Sequence, residues 1–262
     1  MILCLDVGNS QIFGGVFEDG KLKLRFRRRS NTEVSSDEHG VFLRSVLQEN
    51  GVDPALIKKI GFSSVVPEII HSLKNACSRY FNTQPFVLEP GVKTGLKIKY
   101  KNPYELGPDR IANSIAAVNA FPERDLIIID MGTAITFSAV SAEKEFLGGA
   151  IIPGLRTSME ALERNTARLP SVQIVKVSKA CARSTIEGIQ AGLYFGTLGA
   201  IREMVGKISQ ECFGEKKLIK LGTGGFAGMF ADSGVFDEHV PDLVLYGIYH
   251  CLMMNPAIVS ST

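Results

Sequence analysis

The sequence predicts an α/β protein built from two similar halves. Segments typical of β-strands are followed by segments typical of helices, and this arrangement occurs twice in the 262 residues. One short motif opens each half, at residues 5–10 (LDVGNS) and at residues 129–134 (IDMGTA). Each copy follows an apolar run and leads into a second strand-like run. We therefore predict two domains, at residues 1–122 and 123–262.

The first half is predicted to hold five strands and two helices, because short apolar runs alternate with segments of helical periodicity. The predicted strands lie at 1–7, 12–18, 21–28, 60–66 and 86–88. The predicted helices lie at 36–49 and from Pro67 to about residue 81. Asp19-Gly20 suits the tight turn of a hairpin between the second and third strands. Proline is favoured at a first helical position, as at Pro67.

The second half follows a long irregular segment, residues 89–108, whose length favours a functional loop. Its predicted strands lie at 126–130, 134–140, 146–152 and 217–221, and its helices at 110–121, from about Thr185 onward and at 242–254. Ser184 and Glu187 have the spacing of a capping box, which predicts a helix start at this point. The strand at 217–221 leads into a glycine-rich turn at 222–225.

Composition excludes several classes of function. The chain has 45% hydrophobic and 21% charged residues and a net charge of +2, so no general attraction to nucleic acid or to a membrane surface is expected. No apolar stretch approaches the roughly 18 residues of a membrane span. The five cysteines are scattered, without a Cys-x-x-Cys pair, which indicates a reducing compartment rather than a zinc site or disulfide framework. We expect a cytoplasmic protein.

The repeated motif has a chemical interpretation. An aspartate that ends a buried strand, followed by a tight glycine turn, puts a carboxylate beside backbone N–H groups that can bind phosphate oxygens. The carboxylate can hold a cation against those oxygens. For a single turn of this kind, the alternative to a phosphate site is an ordinary hairpin turn that contains a glycine. Two copies in matching contexts, with the further glycine turn at 222–225, favour a nucleotide site.

The order of the motifs resembles that of the type III pantothenate kinases, a branch of the superfamily of acetate and sugar kinases, heat-shock chaperones and actin. The matching segments are 6–10 (DVGNS), 107–110 (GPDR), 130–136 (DMGTAIT), 148–154 (GGAIIPG), 224–225 (GG) and 241–247 (PDLVLYG). The GPDR segment is the specific part, because other branches lack it at this place. Ser10 departs from the family pattern, which usually has threonine there, but a hydroxyl is retained.

The resemblance implies two ribonuclease H-like domains, the duplicated actin-like ATPase fold, with a nucleotide cleft between them. It also implies transfer of the γ-phosphoryl group of ATP to the 4′-hydroxyl of pantothenate, the first step toward coenzyme A. Mg²⁺ is expected with ATP, as is a monovalent cation, potassium or ammonium. Two other interpretations stay open: a chaperone-like or actin-like ATPase, and an ATP-binding regulatory accessory protein.

The site residues follow from the same comparison. The expected ATP-binding residues are Asp6, Val7, Gly8, Asn9, Ser10, Gln11 and Thr133. The expected substrate-binding residues are Tyr100, Gly107, Pro108, Asp109, Arg110 and Thr185. The metal-binding residues are Asp6, for Mg²⁺ through water, and Asp130, for the monovalent cation.

Asp109 is the candidate general base, because a carboxylate can accept the proton of a primary alcohol during phosphoryl transfer. Its ordinary alternative is a capping aspartate at a helix start. Arg110 is expected to pair with the carboxylate of pantothenate, and a surface salt bridge is the alternative there.

Gly188, Gly192 and Gly196, with Gly199 nearby, recur along one helix. Glycine costs a helix about 1 kcal/mol relative to alanine, so this glycine stripe indicates close approach of another helix. That helix belongs either to the same subunit or to a partner. The resemblance implies a homodimer whose substrate pocket the partner completes.

Overall fold

In the computed structural model, which describes residues 1–256, the chain forms two units, and each is built on its own β-sheet. The first unit takes in residues 1–95, 101–116 and the helix that begins at Leu243. The second takes in residues 96–100 and 117–242. This grouping differs from a single division after residue 122 because the C-terminal helix packs on the first sheet.

The first sheet contains both antiparallel and parallel strands. They are β1 (Ile2–Val7), β2 (Gln11–Glu18), β3 (Lys21–Arg29), β4 (Lys59–Ser64) and β5 (Phe86–Val87), in the spatial order β3-β2-β1-β4-β5. Strands β1, β2 and β3 are antiparallel neighbours, whereas β4 runs parallel to β1 and β5 parallel to β4. Asp19 and Gly20 both have positive φ, as a tight hairpin turn requires. All five strands were predicted.

Helices cover both faces of this sheet. They are α1 (Ser36–Glu49), α2 (Pro67–Phe81) and α6 (Leu243–Met254), while α3 (Pro108–Ala120), which continues into the second unit, lies against α6. On one face, Leu43 of α1 and Leu73 of α2 pack in a core with Leu3 and Leu5 of β1. α1 begins with a full capping box, in which Ser35 and Glu38 bond to each other's backbone N–H.

The C-terminal helix α6 packs against the opposite face. Gly15 and Gly61 lie on that face, and a Cβ added at either would meet Leu245 or Leu252 of α6. Gly247 of α6 in turn lies directly against the backbone of Ala112 in α3. The apolar character of α6 on all sides fits a helix that is buried between neighbours.

The second sheet repeats the pattern of the first. Its strands are β6 (Lys97–Ile98), β7 (Asp125–Met131), β8 (Ala134–Val140), β9 (Glu145–Pro153), β10 (Leu218–Thr223) and β11 (Glu238–His239), in the order β11-β10-β7-β8-β9-β6. Strands β7, β8 and β9 are antiparallel neighbours, and β10 and β11 are parallel to β7 and to each other. The short strand β6 is an addition, parallel to β9.

Two helices complete the second unit, α4 (Leu155–Asn165) and α5 (Thr185–Cys212). Tyr194 and Ile201 of α5 pack with Ile127 and Ile129 of β7. Ser184 caps α5 as predicted, but the Glu187 carboxylate accepts from the N–H of Arg183, not from that of Ser184.

The sequence did not predict α4, β6 or β11, and it placed the start of α3 at residue 110 where the structure has Pro108. The long segment at 89–108 is also less irregular than expected, because it holds β6 and a 3₁₀ turn at Pro103–Glu105. Within residues 1–256, none of the helices has the length and apolar character of a membrane span.

Candidate active site

The first Asp-Gly turn is held at the end of β1. Asp6 lies opposite Ser63 of the parallel strand β4. The fully buried Ser63 donates a hydrogen bond of 2.7 Å from its Oγ to Oδ1 of Asp6. This bond fixes the orientation of the carboxylate before any ligand arrives, since a hydroxyl that donates to one carboxylate oxygen restricts rotation of the group.

The turn that follows has a closed backbone geometry. The N–H of Gly8 donates to the carbonyl of Gln11 at 3.0 Å, while Val7 is buried behind it. A Cβ at Gly8 would lie 3.2 Å from that same carbonyl, so the tight turn favours glycine. Asn9 and Ser10, at the tip, are exposed.

The second Asp-Gly turn is similar but one residue shorter, since three residues connect its paired strands and four connect those of the first turn. The N–H of Gly132 donates to the carbonyl of Ala134 at 3.0 Å. Asp130 lies opposite Thr223 of β10, as Asp6 lies opposite Ser63, so a hydroxyl residue occupies the matching register position in both sheets. Gly224, with φ of +88°, packs its backbone directly on the Asp130 carboxylate. That contact leaves no space for a side chain at position 224.

The residues after the second turn are tied to the segment that follows β9. The carbonyl of Thr133 accepts two hydrogen bonds, one from the N–H of Gly154 at 3.0 Å and one from Oγ1 of Thr157 at 2.7 Å. The site of the expected ATP contact is therefore held in place by the start of α4.

Residues 107–110 form the first turn of α3. Pro108 takes the first helical position, and a Cβ at Gly107 would lie 2.5 Å from Oδ1 of Asp109. Oδ1 of Asp109 accepts a hydrogen bond of 2.8 Å from the N–H of Arg110, whose side chain is 5% exposed. Asp109 thus lies inside the first turn and bonds the next residue, whereas a capping aspartate precedes the helix and bonds N–H groups two or three positions on.

Burial dominates the electrostatics of Asp109. It raises the pKa of the carboxyl above its ordinary value, and the hydrogen bond and positive charge of Arg110 oppose the rise. A carboxylate with a raised pKa is a stronger proton acceptor than an exposed aspartate, which suits the predicted role.

The other two predicted substrate contacts lie in the second unit. Tyr100 follows β6, and its ring packs edge-on against Phe146 with centroids 5.9 Å apart. Thr185 is the first residue of α5 and lines a largely apolar cavity of about 720 Å³ between α4 and α5. Thr157 lines the same cavity, so the segment that holds the second turn also borders the space beside Thr185.

Sequence reasoning missed three residues around these turns: Ser63, Thr157 and Ser30, which contacts the first turn. Each contacts its turn from more than twenty residues away in sequence. The repeat itself carried a usable signal for Ser63, because superposing the two halves puts a hydroxyl residue at the end of the fourth strand in both.

The residues present fit a divalent cation bound together with ATP. Among residues 1–256, His, Cys, Asp and Glu form no group of three or more that could hold a metal ion by itself. Mg²⁺ in kinases needs no such group, because it keeps several waters and binds one or two carboxylates together with the substrate's phosphates. The oriented carboxylate of Asp6 beside the first turn meets that requirement.

The strand order, repeated in two sheets with an aspartate and a glycine turn at the same place in each, defines a duplicated ribonuclease H-like protein of the actin-like ATPase class. Solved structures share this fold. A Campylobacter jejuni protein described as a Baf family transcriptional activator matches with a TM-score of 0.59 and 21% identity, over 97% of this chain and 99% of that one. Component A of the Acidaminococcus fermentans (R)-2-hydroxyglutaryl-CoA dehydratase matches with a TM-score of 0.52 and 12% identity. The match covers 94% of this chain and 95% of that one.

The chain belongs to the type III pantothenate kinase family, whose model matches residues 2–207. A type III pantothenate kinase of Legionella pneumophila is 55% identical over 98% of this chain and all of the relative. The type III pantothenate kinase of Elusimicrobium minutum is 50% identical over 98% of this chain and all of the relative. The predicted fold and the predicted activity, ATP-dependent phosphorylation of pantothenate in coenzyme A synthesis, are confirmed. ATP with a divalent metal follows from that class of kinase.

Proposed function

We propose that Asp109 is the general base that activates the 4′-hydroxyl of pantothenate. As the hydroxyl oxygen bonds to the γ-phosphorus of ATP, the bond from that phosphorus to the β-bridging oxygen breaks, ADP leaves, and the hydroxyl proton passes to the Asp109 carboxylate. The observation that carries this role is the half-buried carboxyl in the first turn of α3, which has a raised pKa and lies close against Gly107.

The nucleotide is assigned to the two Asp-Gly turns. Residues 8–11 bind phosphate oxygens, Asp6 holds Mg²⁺ through water, Thr133 contacts ATP, and Asp130 holds potassium or ammonium. The bound cations neutralise the charge of the phosphates. The hydrogen bond from Ser63 to Asp6 and the packing of Gly224 on Asp130 support these roles, because each fixes a carboxylate at a strand end.

Pantothenate is assigned to the residues around α3 and α5. Its carboxylate pairs with the guanidinium of Arg110, which presents a planar set of donors suited to two parallel hydrogen bonds. Tyr100 and Thr185 supply further contacts. The apolar cavity beside Thr185 supports this assignment, since pantothenate carries a dimethyl group next to its reacting hydroxyl.

The active form is a homodimer in this proposal. Gly188, Gly192, Gly196 and Gly199 are exposed, and a Cβ added at any of them would meet nothing within 4 Å in the described chain. No atom of residues 1–256 fills the space directly beside the stripe, which supports contact with a second copy over a close helix of the same subunit. Ile186, 52% exposed beside the stripe, adds apolar surface that a second copy would cover.

Gly192→Ala tests the dimer. Alanine at an exposed helix position stabilises by up to about 1 kcal/mol, whereas a methyl group in a close helix contact weakens association. We expect analytical sedimentation to show a weaker dimer for Gly192→Ala. The gain in folding stability from alanine should be seen only in samples dilute enough to be monomeric. A dimer of unchanged affinity would exclude the stripe from the interface.

We also place the protein in the cytoplasm. All five cysteines are free thiols in the structure, and burial raises the pKa of Cys77 to about 12, which suits a structural thiol in a reducing compartment.

Release of ADP with and without pantothenate tests the proposal directly. With ATP, Mg²⁺ and K⁺ present, we expect release by the wild type to depend on pantothenate. The variant Asp109→Asn should lower kcat by roughly 10²–10⁴-fold with little change in ATP affinity, because only the proton acceptor is lost. Near-normal turnover in that variant would remove Asp109 from the mechanism.

A further inference from the structure

Ser30, the first residue after β3, makes two contacts with the first glycine turn. Its Oγ donates a hydrogen bond to the carbonyl of Gly8, and its backbone N–H donates to the carbonyl of Ser10 at 3.0 Å. One residue therefore holds the carbonyl groups on both sides of Asn9.

These contacts matter for anion binding because each peptide carries a carbonyl on one edge and an N–H on the other. In a trans peptide the two point in opposite directions, and the structure contains no cis peptide within residues 1–256. With the Gly8 carbonyl bonded to Ser30, the N–H of Asn9 points away from Ser30. A flipped peptide would instead present the carbonyl oxygen, which repels phosphate.

Glycine makes such a flip easy, since it adopts conformations that other residues avoid. The turn favours glycine at position 8 because of its close approach to Gln11, so the following peptide gains from a separate restraint. The Ser30 hydroxyl supplies that restraint.

The second turn has a similar restraint. There Thr157, from the segment that follows the third strand of its own sheet, donates its hydroxyl to the carbonyl of Thr133, and the N–H of Gly154 donates to the same carbonyl. In both units a hydroxyl and a backbone N–H from the chain after the third strand hold the glycine turn, at the carbonyls of Gly8 and Ser10 in the first unit and at the one carbonyl of Thr133 in the second. The recurrence favours a role in the turns themselves over an incidental surface contact.

We propose that Ser30 is a positioning residue that holds the carbonyls of the first glycine turn, so that the turn presents N–H groups to the phosphates of ATP. The inference rests on the proposed assignment of phosphates to residues 8–11. Ser30 itself does not touch the reacting atoms, and its effect is exerted through the peptide between Gly8 and Asn9.

The test compares the affinities of three ligands, ATP, ADP and adenosine, for the wild type and for Ser30→Ala at constant Mg²⁺. Loss of one neutral hydrogen bond predicts roughly 3- to 10-fold weaker binding of ATP and ADP by calorimetry. Adenosine, which has no phosphate, should bind both proteins equally in ligand-observed NMR. Ser30→Thr keeps the hydroxyl and should restore the affinity for ATP.

Ser35→Ala is the matched control. Ser35 caps α1 five residues further along, so its loss lowers the melting temperature without affecting the turn. If Ser30→Ala only lowers the melting temperature, as Ser35→Ala does, or weakens adenosine as much as ATP, the positioning role is wrong.

Measurements on the wild type distinguish a failure of the Ser30 inference from a failure of the proposed phosphate assignment. A wild type that binds ATP much more tightly than adenosine, beside a Ser30→Ala variant with the same preference, would overturn the role of Ser30 alone. A wild type with no preference for the phosphorylated ligands would overturn both that role and the assignment of phosphates to the turn.

Discussion

Replacing Gly224 with alanine tests whether the glycine turn after β10 exists to hold Asp130. The Cβ would overlap Oδ1 of Asp130 and would lie 2.6 Å from the backbone nitrogen of Met131. It would also sit on a residue with φ of +88°, a conformation that side chains rarely adopt.

The loss of folding stability in Gly224→Ala has two causes. The unfavourable backbone conformation costs about 1–2 kcal/mol, and forcing a methyl group into a filled space costs about 1–3 kcal/mol. We therefore expect the free energy of unfolding to fall by about 2–5 kcal/mol. Asp130 must also move, so if it holds the monovalent cation as proposed, activation by potassium should weaken along with the affinity for ATP.

Gly234→Ala separates the two causes. Gly234 has φ of +73°, but a Cβ there would meet nothing within 4 Å in the described chain. Urea denaturation should show a loss of only about 1–2 kcal/mol for this variant, and its activation by potassium should match the wild type. If both variants lose the same stability and respond alike to potassium, the packing of Gly224 on Asp130 has no functional consequence.

Three further changes have defined outcomes. Arg110→Met should raise the KM for pantothenate by at least tenfold with little change in the KM for ATP, because the charged hydrogen bond proposed between Arg110 and the substrate carboxylate would be lost. Ser63→Ala should raise the Mg²⁺ concentration for half-maximal activity several-fold, since the Asp6 carboxylate, which we propose holds Mg²⁺, loses its restraint; Ser63→Thr should restore the wild-type requirement. His39 is buried with Nε2 unbonded among the described residues, and burial lowers its pKa from 6.5 to about 4. The His39 imidazole therefore binds a proton more readily in the unfolded chain than in the folded one. We expect the free energy of unfolding to be highest above about pH 6.5. It should fall by about 1–3 kcal/mol toward pH 4, after allowance for solvent screening. His39→Leu should remove that slope from urea denaturation measured across this range.

Each of these outcomes has a control. An unchanged KM for pantothenate in Arg110→Met would exclude the carboxylate contact. Ser78→Ala removes a hydroxyl that bonds only the backbone of its own helix, so it should leave the Mg²⁺ requirement unchanged. If it shifts that requirement as Ser63→Ala does, the effect is not specific to Asp6. A pH slope in His39→Leu equal to that of the wild type would assign the titration to other groups.

The parts of the fold that could be predicted are those determined by local sequence patterns. The strands that flank each Asp-Gly turn are long, apolar and bounded by glycine, so their bounds were close to those observed. β6 and β11 have two residues each. Such short strands exist because a neighbouring strand pairs with them, and two residues carry no periodicity.

The candidate site shows the same limit. Asp6, Gly8 and Asp109 stand in motifs that can be recognised in a single sequence, whereas Ser63 and Ser30 matter through contacts with residues 57 and 22 positions away. No local pattern marks Ser30, and Ser63 could be found only by matching the fourth strands of the two halves. The duplicated sheet order links them to the turns, and that order emerges only when the strands are paired.

The position of α6 has a consequence for how the protein is made. This helix covers one face of the first sheet, yet its residues are synthesised after the whole of the second unit. The strands of the first sheet are made long before α6, so the face that carries Gly15 and Gly61 stays uncovered until that helix is available. The core of the N-terminal unit therefore closes only after the second unit has been synthesised, so the two units do not complete their folds in the order of the chain.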